Sequence, residues 1–297
     1  MQAKRKKAAT TVLLPNAGVP SVSPSAKRGK GKEASETMLP PVSMPAPYPA
    51  LRELYRQRTD LHGAEKRLTL QIKAIGRREA GGGQQHDAAH APIAPDASSD
   101  AVTLLGGTAM LAAGPLIEAQ TLIRLSRLKL EKQLVAVART LPGAELVERT
   151  HGFGYLGLAI IVGEANGPLT LYANPAKLWK RLGLAVINGK AQGKIRGAGA
   201  IEQGYSPRRR SAIWTIGDSL LKKPNAYREL YLSRKAYEHA RNKTLPPATG
   251  PENAYGTRTP LPGEQLSDMQ LHRRAQRYVE KRLVLDLWKI WRKGNGA

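Results

Sequence analysis

Cysteine is missing from this sequence, and its absence excludes disulfide bonds, thiolate zinc sites and cysteine nucleophiles together. A chain without disulfide bonds suits a reducing compartment, and we expect a cytoplasmic, nucleoid-associated protein. The basic segment Lys4–Lys7 is not followed by an apolar run long enough for a signal peptide.

Long hydrophobic runs are also missing. The best candidate for a membrane span, from Ala101 to Ile117, is interrupted by glycines and by Pro115. It is shorter than the ~20 apolar residues that a bilayer requires. We therefore predict no partnership with a membrane.

Negative charge is scarce in this chain. Its 297 residues include 47 lysines and arginines against 23 aspartates and glutamates, which gives a formal net charge of +24. A field of this sign attracts polyanions over a Debye length. Nucleic acid is the commonest such partner, so we expect DNA as the ligand, with structured RNA as an alternative.

Residues that bind metals do not cluster in the sequence. His86 and His90 are four residues apart but fall in a segment rich in glycine and alanine. The carboxylates Asp60, Asp218 and Asp286 are scattered, and local spacing does not bring them together around magnesium. We therefore predict no metal site, no cofactor and no two-metal nuclease centre.

The composition changes along the chain, and the segments together predict a mainly α-helical protein. Residues 1–47 form a basic tail, rich in proline and serine, which we expect to be disordered and to act as a phosphate tether or a solubilising extension. The other predicted segments are an amphipathic helical arm at 48–80, a flexible linker at 81–114, a second long helix at 115–141, a compact helical domain at 142–244, a loop at 245–263 and a closing helix at 264–293.

Apolar residues recur at helical spacing in both long helices. The two helices either pair antiparallel within one chain or form a coiled coil with a second chain, which would give the homo-oligomer that we expect. In the second helix, the buried side is predicted from Leu116, Leu122, Ile123, Leu125, Leu130, Leu134 and Val137. In the closing helix, Ser267 and Gln270 predict a capping box, and Tyr278, Leu285, Trp288 and Trp291 are expected to face inward.

A glycine bend, Gly152-Phe153-Gly154, directly precedes the apolar run from Leu156 to Val162. The two glycines free the backbone, and the helix that follows leaves its first amides unpaired, so such a bend can receive a phosphate. A helix-hairpin-helix-like motif of this kind also serves to join two packed helices. In a chain of this charge, we predict that Gly152 and Gly154 contact nucleic acid.

Further candidate phosphate ligands follow in the glycine-rich stretch 183–204, which is either a β-hairpin or an irregular loop. Lys190, Lys194 and Arg196 belong to it. Ser206 then caps a helix with Pro207 at its first position, and the predicted inner face comprises Ile213, Trp214, Ile216 and Leu220.

Three arginines, Arg208, Arg209 and Arg210, fall in the first turn of that helix, where positive charge opposes the helix dipole. The cost suggests an anionic ligand, although three solvated arginines would give the same pattern. We expect these arginines, the glycine bend and the cations of the glycine-rich stretch to converge on one surface. Ser206 and Ser211, beside the arginines, are the candidates for a serine nucleophile.

The order of these motifs resembles the carboxyl-terminal transposase domain of the DEDD transposases, the Piv-like recombinases of insertion sequences, several of which are guided by a bridge RNA. The matching features are the glycine bend, the apolar helix ending at Gly163-Glu164, the segment from Leu178 to Ala185, the glycine-rich basic loop and the segment from Ser206 to Trp214. The last helix is similar to the family's closing segment, and residues 51–75 resemble its helical arm. The resemblance implies nucleic-acid binding within an assembly.

Two features depart from the family pattern. Family members carry an amino-terminal RuvC-like domain with four metal-binding carboxylates, where this chain has its basic tail. They also place a nucleophilic serine just after a Gly-Leu-Ala motif, where this chain has Ala191 and Gln192. Neither side chain can form a phosphoserine linkage with DNA. The resemblance therefore implies binding without strand cleavage by this chain alone.

Three hypotheses follow. The first is a transposase-derived nucleic-acid-binding protein. The second is the carboxyl-terminal subunit of a split transposase, which would act in DNA recombination with a separate RuvC-like nuclease partner and with Ser206 or Ser211 as nucleophile. The third is a coiled-coil scaffold that binds protein.

Overall fold

The computed structural model describes residues 47–79, 107–197, 199–252 and 258–294. The predicted disordered tail lies outside these residues except for its last position. Most of the predicted linker, with His86 and His90, lies outside them as well.

Helices dominate the described residues, so the predicted mainly α class is confirmed. Their bounds are α1 Tyr48–Glu79, α2 Gly107–Ala138, α3 Ala144–Glu148, α4 Tyr155–Ala165, α5 Pro175–Arg181, α6 Gly199–Gln203, α7 Pro207–Leu221, α8 Ala226–Asn242 and α9 Asp268–Gly294. A 3-10 turn covers Leu169–Leu171, and the antiparallel strands β1 Val186–Ile187 and β2 Lys190–Ala191 pair in the glycine-rich stretch. Across the described parts of the chain, every helix is too short or too polar to span a bilayer.

The helical arm consists of α1 and α2, which pair antiparallel within the chain. Arg58 lies 3.0 Å from Glu131, whereas Glu65, further along α1, lies 2.7 Å from Arg127, earlier in α2. Arg127 also lies 2.7 Å from Glu131, so its guanidinium joins carboxylates from both helices. These largely buried ion pairs fix the register of the two helices because a slip would leave charges without partners.

The start and the buried side of α2 both differ from the prediction. The helix begins at Gly107 and continues through Pro115, whose side chain is exposed, so that water can satisfy the carbonyl that a proline leaves unpaired. Leu134 is buried as predicted, but Leu122 is 66% exposed and Leu125 is exposed as well. Apolar residues lie all around α2, and the side that packs on α1 is the one that carries Arg127.

The core is built around α4, whose apolar run was recognisable in the sequence. Leu158, Ile161 and Val162 are fully buried, and α4 contacts α1, α2, α3, α5 and α7. The helix ends at Asn166, which adopts the left-handed conformation with φ of 68°. Gly163 lets the Tyr55 ring of α1 approach so closely that a β-carbon there would lie 2.5 Å from the ring.

The closing helix α9 packs against α8, α7 and α5. The predicted capping box is present: the Ser267 amide donates to Gln270 Oε1 at 2.9 Å, and the Gln270 amide donates to Ser267 Oγ at 3.4 Å. Trp291 is fully buried, and its indole donates to the Tyr48 hydroxyl at 3.0 Å. Tyr278, predicted to face inward, is instead 41% exposed, with the Arg234 guanidinium over its ring.

Trp214 of α7 also differs from its predicted inward position. Its side chain is 43% exposed, whereas Ile213, Ile216 and Leu220 of the same helix are buried as predicted. The backbone oxygen of Trp214 accepts a hydrogen bond from the Gln276 side chain of α9 at 3.0 Å. The helix is therefore held to α9 at this point through its backbone, which leaves the indole at the surface.

The close approach at Gly163 gives a stability prediction. In Gly163→Ala, the added methyl group collides with the Tyr55 ring, and we expect a loss of about 1–3 kcal/mol in the free energy of unfolding. The matched control is Gly63→Ala in α1, where the new β-carbon meets nothing nearer than the Arg67 guanidinium at 3.8 Å. The control should gain up to about 1 kcal/mol from helix propensity. Urea denaturation measures both variants, and equal stability would contradict the packing described here.

Candidate nucleic-acid interface

The predicted phosphate ligands separate into two groups at opposite ends of α7. A β-carbon on Gly152 would lie 2.6 Å from the backbone oxygen of Ser219, near the last turn of this helix. Arg208, Arg209 and Arg210 lie in its first turn. With a rise of about 1.5 Å per residue, the two ends are roughly 20 Å apart. One phosphate cannot contact both groups over this distance, and a shared surface for the glycine bend and the arginines stays a prediction.

The glycine bend joins two packed helices and docks on the turn between α7 and α8. Gly152 has φ of 88°, a left-handed conformation that favours glycine, and Phe153 is buried. The Asn225 side-chain amide donates to the His151 carbonyl at 2.6 Å and so holds the bend in place. Gly152 and Gly154 remain exposed, but the carboxylate of Glu148 lies at the same end of the molecule. The bend serves packing first.

A basic residue that the sequence analysis did not select lies beside this bend. Lys223, in the turn between α7 and α8, is exposed, and its side chain is next to Gly152. The pair of lysines at 222 and 223, directly before Pro224, is the sequence signal that marks this turn as basic. Lys222 is bound to Asp218 at 2.7 Å, so Lys223 is the more available of the two.

Arg208 and Arg209 share a buried carboxylate. Glu164, at the end of α4, is 1% exposed and lies 3.2 Å from Arg208 Nη2 and 3.8 Å from Arg209 Nε. The Tyr55 hydroxyl donates to the same carboxylate at 2.5 Å, and burial, together with this negative charge, raises the pKa of Tyr55. Arg208 keeps more than half of its side chain exposed and stays available for a ligand, whereas Arg209 is mostly enclosed.

Arg210 is a structural residue. Its guanidinium lies 2.7 Å from Glu280 of α9, and its side chain is 13% exposed. The contact with Glu280 and the burial leave little of this guanidinium available to a ligand, and its predicted contact with nucleic acid stays a prediction. Two carboxylates from distant parts of the chain thus offset the charge that opposes the dipole of α7. In the sequence, the position of Glu164 at the end of an apolar run indicates a buried carboxylate that needs a partner.

The first turn of α7 is part of a larger cationic surface that also includes α5. Lys177, Lys180 and Arg181 of α5 were not selected from the sequence, although their spacing of three and four puts them on one side of a helix. Between Pro175 and Arg210, Glu202 is the only acidic residue.

Within the glycine-rich insertion, Gln192 joins the strand pair to α6, the helix that precedes the start of α7. This side chain is buried, and its amide donates to the Gln203 carbonyl at 2.8 Å. Lys190 and Lys194, each two residues from Gln192, are exposed, as is Arg196. We call the group formed by Lys177, Lys180, Arg181, Lys190, Lys194, Arg196, Arg208 and Arg209 the basic face.

Within the basic face, an open pocket of about 440 Å³ lies between α5 and the start of α7. We call it the basic pocket. It is lined by Lys177, Lys180, Arg181, Gln203, Gly204, Tyr205, Ser206 and Arg209. Ser206 Oγ accepts the Arg209 amide at 3.4 Å, the N-cap geometry predicted for it, whereas Ser211 is exposed on α7 and does not line the pocket.

The acidic residues considered as metal ligands have separate partners. Asp218 binds Lys222, and Asp286 accepts a hydrogen bond from the Tyr227 hydroxyl at 3.0 Å. Among the residues that the structure describes, no three histidine, aspartate or glutamate side chains are grouped so that they could hold a metal ion.

Burial of Glu280 predicts a pH dependence of stability. Burial raises its pKa to about 7, against the opposing effect of Arg210. The folded state therefore favours the neutral acid, which adds to the free energy of unfolding. This added stability is complete below the unfolded pKa near 4.5 and is lost as pH rises through about 7. Glu280→Gln cannot show this loss. Between pH 4.5 and 8, the free energy of unfolding of the original protein should therefore fall by on the order of 3 kcal/mol relative to that of the variant.

Urea denaturation at several pH values measures this difference, and the slope with pH is the quantity compared. The control is Glu202→Gln, which removes an exposed carboxylate on α6 and should leave the pH profile unchanged. Parallel profiles for Glu280→Gln and the original protein would refute the role given to burial.

No protein-family model, curated protein or solved structure matches this chain. The relation to insertion-sequence transposases thus stays a prediction from the order of the motifs.

Proposed function

We propose that this protein binds nucleic acid, DNA in the first place, through phosphate contacts on the basic face. One observation carries the proposal: the cations of this face come from the segment between Pro175 and Arg210, in which Glu202 is the only acidic residue. A surface of this kind attracts a sugar-phosphate strand and releases the counterions condensed on it.

The three cations of the insertion, Lys190, Lys194 and Arg196, are the strongest candidates for backbone contacts. All three are exposed, and none of them forms an ion pair with another described residue. A phosphate that binds them displaces water and salt ions instead of competing with a protein carboxylate. Arg208 is the fourth candidate, since more than half of its side chain is exposed although it lies against Glu164.

Descent from an insertion-sequence transposase is the second part of the proposal. It is supported by the motif order in the sequence. Ala191 and Gln192 stand where the family has its nucleophilic serine, and this departure argues against cleavage. Gln192 is buried and hydrogen-bonded to Gln203, a structural use of this position. We therefore propose binding without strand cleavage by this chain alone.

A split transposase is an alternative function, and the location of Ser206 favours it. This serine lines the basic pocket, where a scissile phosphate would meet several cations. With a separate RuvC-like chain present, a covalent adduct with DNA that is lost in Ser206→Ala but retained in Ser211→Ala would establish this function. Absence of an adduct in the presence of that chain would exclude Ser206 as the nucleophile.

Replacement of the insertion cations tests the binding function. We expect the triple variant Lys190→Ala, Lys194→Ala, Arg196→Ala to bind a short DNA duplex more weakly. The slope of log affinity against log salt should fall by roughly 0.9 for each phosphate contact that is lost. Fluorescence anisotropy between ~50 and ~200 mM salt measures both quantities.

The matched control is Arg52→Ala, Lys66→Ala, Arg67→Ala, which removes three exposed cations from α1 and so the same net charge. This control should keep the slope of the original protein. Equal losses in the two triple variants would mean that net charge alone drives binding, as in the scaffold hypothesis with incidental attraction of polyanions. A flat response to salt in the original protein would exclude phosphate contacts altogether.

A further inference from the structure

The basic pocket differs in shape from the rest of the basic face. It is an open depression, with Lys177, Lys180 and Arg181 of α5 on one side and Ser206 and Arg209 on the other. Its volume of about 440 Å³ falls in the range of small-molecule sites, roughly 300–1,000 Å³. The pocket can therefore present cations to a ligand group from two sides, whereas the exposed lysines of the insertion contact it from one.

Positive charge in the pocket exceeds the negative charge near it. No carboxylate lines the pocket, and Glu164, the acidic group in contact with its wall, lies 3.8 Å from Arg209 and is shared with Arg208. Burial is the main cause that lowers the pKa of Arg209, and repulsion by Arg181 is the second cause. An anion bound in the pocket would offset this repulsion.

The available donors are chiefly the two lysines. Arg181 uses its Nε to donate to the Glu164 carbonyl at 3.0 Å, and Arg209 Nη1 donates to the Arg181 carbonyl at 3.4 Å. These bonds hold the two guanidinium groups in fixed positions. Lys177 and Lys180 are exposed and form no ion pair with a described residue, so their ammonium groups are available to a ligand.

We propose that the basic pocket binds a phosphate monoester, either the terminal phosphate of a nucleic-acid strand or that of a mononucleotide. A phosphate inside a strand carries one negative charge and continues on both sides, which suits an open surface. A terminal phosphate carries about two charges at pH 7 and continues on one side, which suits a depression lined by several cations. This inference rests on the proposed nucleic-acid binding and names the part of the strand that enters the pocket.

The test compares oligonucleotides of one sequence that end in a 5′-phosphate, a 3′-phosphate or hydroxyl groups only. With a fluorophore away from the phosphorylated end, we expect anisotropy titrations to give about tenfold tighter binding of at least one phosphorylated form. The preference should shrink below pH ~6, where the monoester takes up a proton. A nucleoside monophosphate added as competitor distinguishes a mononucleotide from a strand end as the ligand. If the competitor removes the preference for phosphorylated oligonucleotides, the pocket recognises the phosphate group alone. If the preference persists, the pocket recognises a strand end.

Two double variants with the same loss of charge locate the effect. Lys177→Ala, Lys180→Ala should abolish the preference for a phosphorylated end. Lys190→Ala, Lys194→Ala lies outside the pocket and should weaken binding of all oligonucleotides equally, with the preference intact. Circular dichroism checks that both variants fold.

Equal affinity of the original protein for all three oligonucleotides would overturn the inference while leaving the proposed nucleic-acid binding in place. A preference that survives Lys177→Ala, Lys180→Ala would also overturn it, because the terminal phosphate would then bind elsewhere. Failure of every oligonucleotide to bind would instead overturn the proposed function itself.

Discussion

The buried carboxylate of Glu164 is the contact on which the arrangement of the helices depends. It accepts the Tyr55 hydroxyl from α1 and lies against Arg208 and Arg209 of α7, and its backbone carbonyl accepts Arg181 of α5. A charge with 1% exposure is costly unless it is paired and hydrogen-bonded, so these partners have to be brought together. The same residue that organises the core therefore also holds Arg181 and Arg209, which line the basic pocket.

Arginine has two uses in this fold, and burial separates them. Arg210 and Arg127 are enclosed with carboxylates and determine how helices pack, whereas Arg196 and Arg208 are largely solvent-accessible. A net charge of +24 describes the field around the protein but does not tell which cations are free. The functional proposals consequently depend mainly on the exposed lysines of the basic face and on Arg196, which form no ion pair with a described carboxylate.

Local features of the fold could be predicted from the sequence, and long-range contacts could not. Ser206 with Pro207 predicted the start of α7, because capping involves neighbouring residues. The partners of Arg208 and Arg210 lie far away along the chain, at Glu164 and Glu280, and no local spacing indicates such pairs. For the same reason the sequence located the glycine bend but not the turn on which it docks. In α2, apolar residues on all sides left the buried side undetermined.

The arm formed by α1 and α2 has a consequence for how the protein reaches its surroundings. A helix of 32 residues is about 48 Å long, and only the first turns of α1, around Leu51 and Tyr55, join the core around α4. Glu79 and Gly107 therefore lie at the outer end of a stiff spacer, tens of ångströms from the core. A partner or a fluorescent label attached there is held far from the core and rotates together with it.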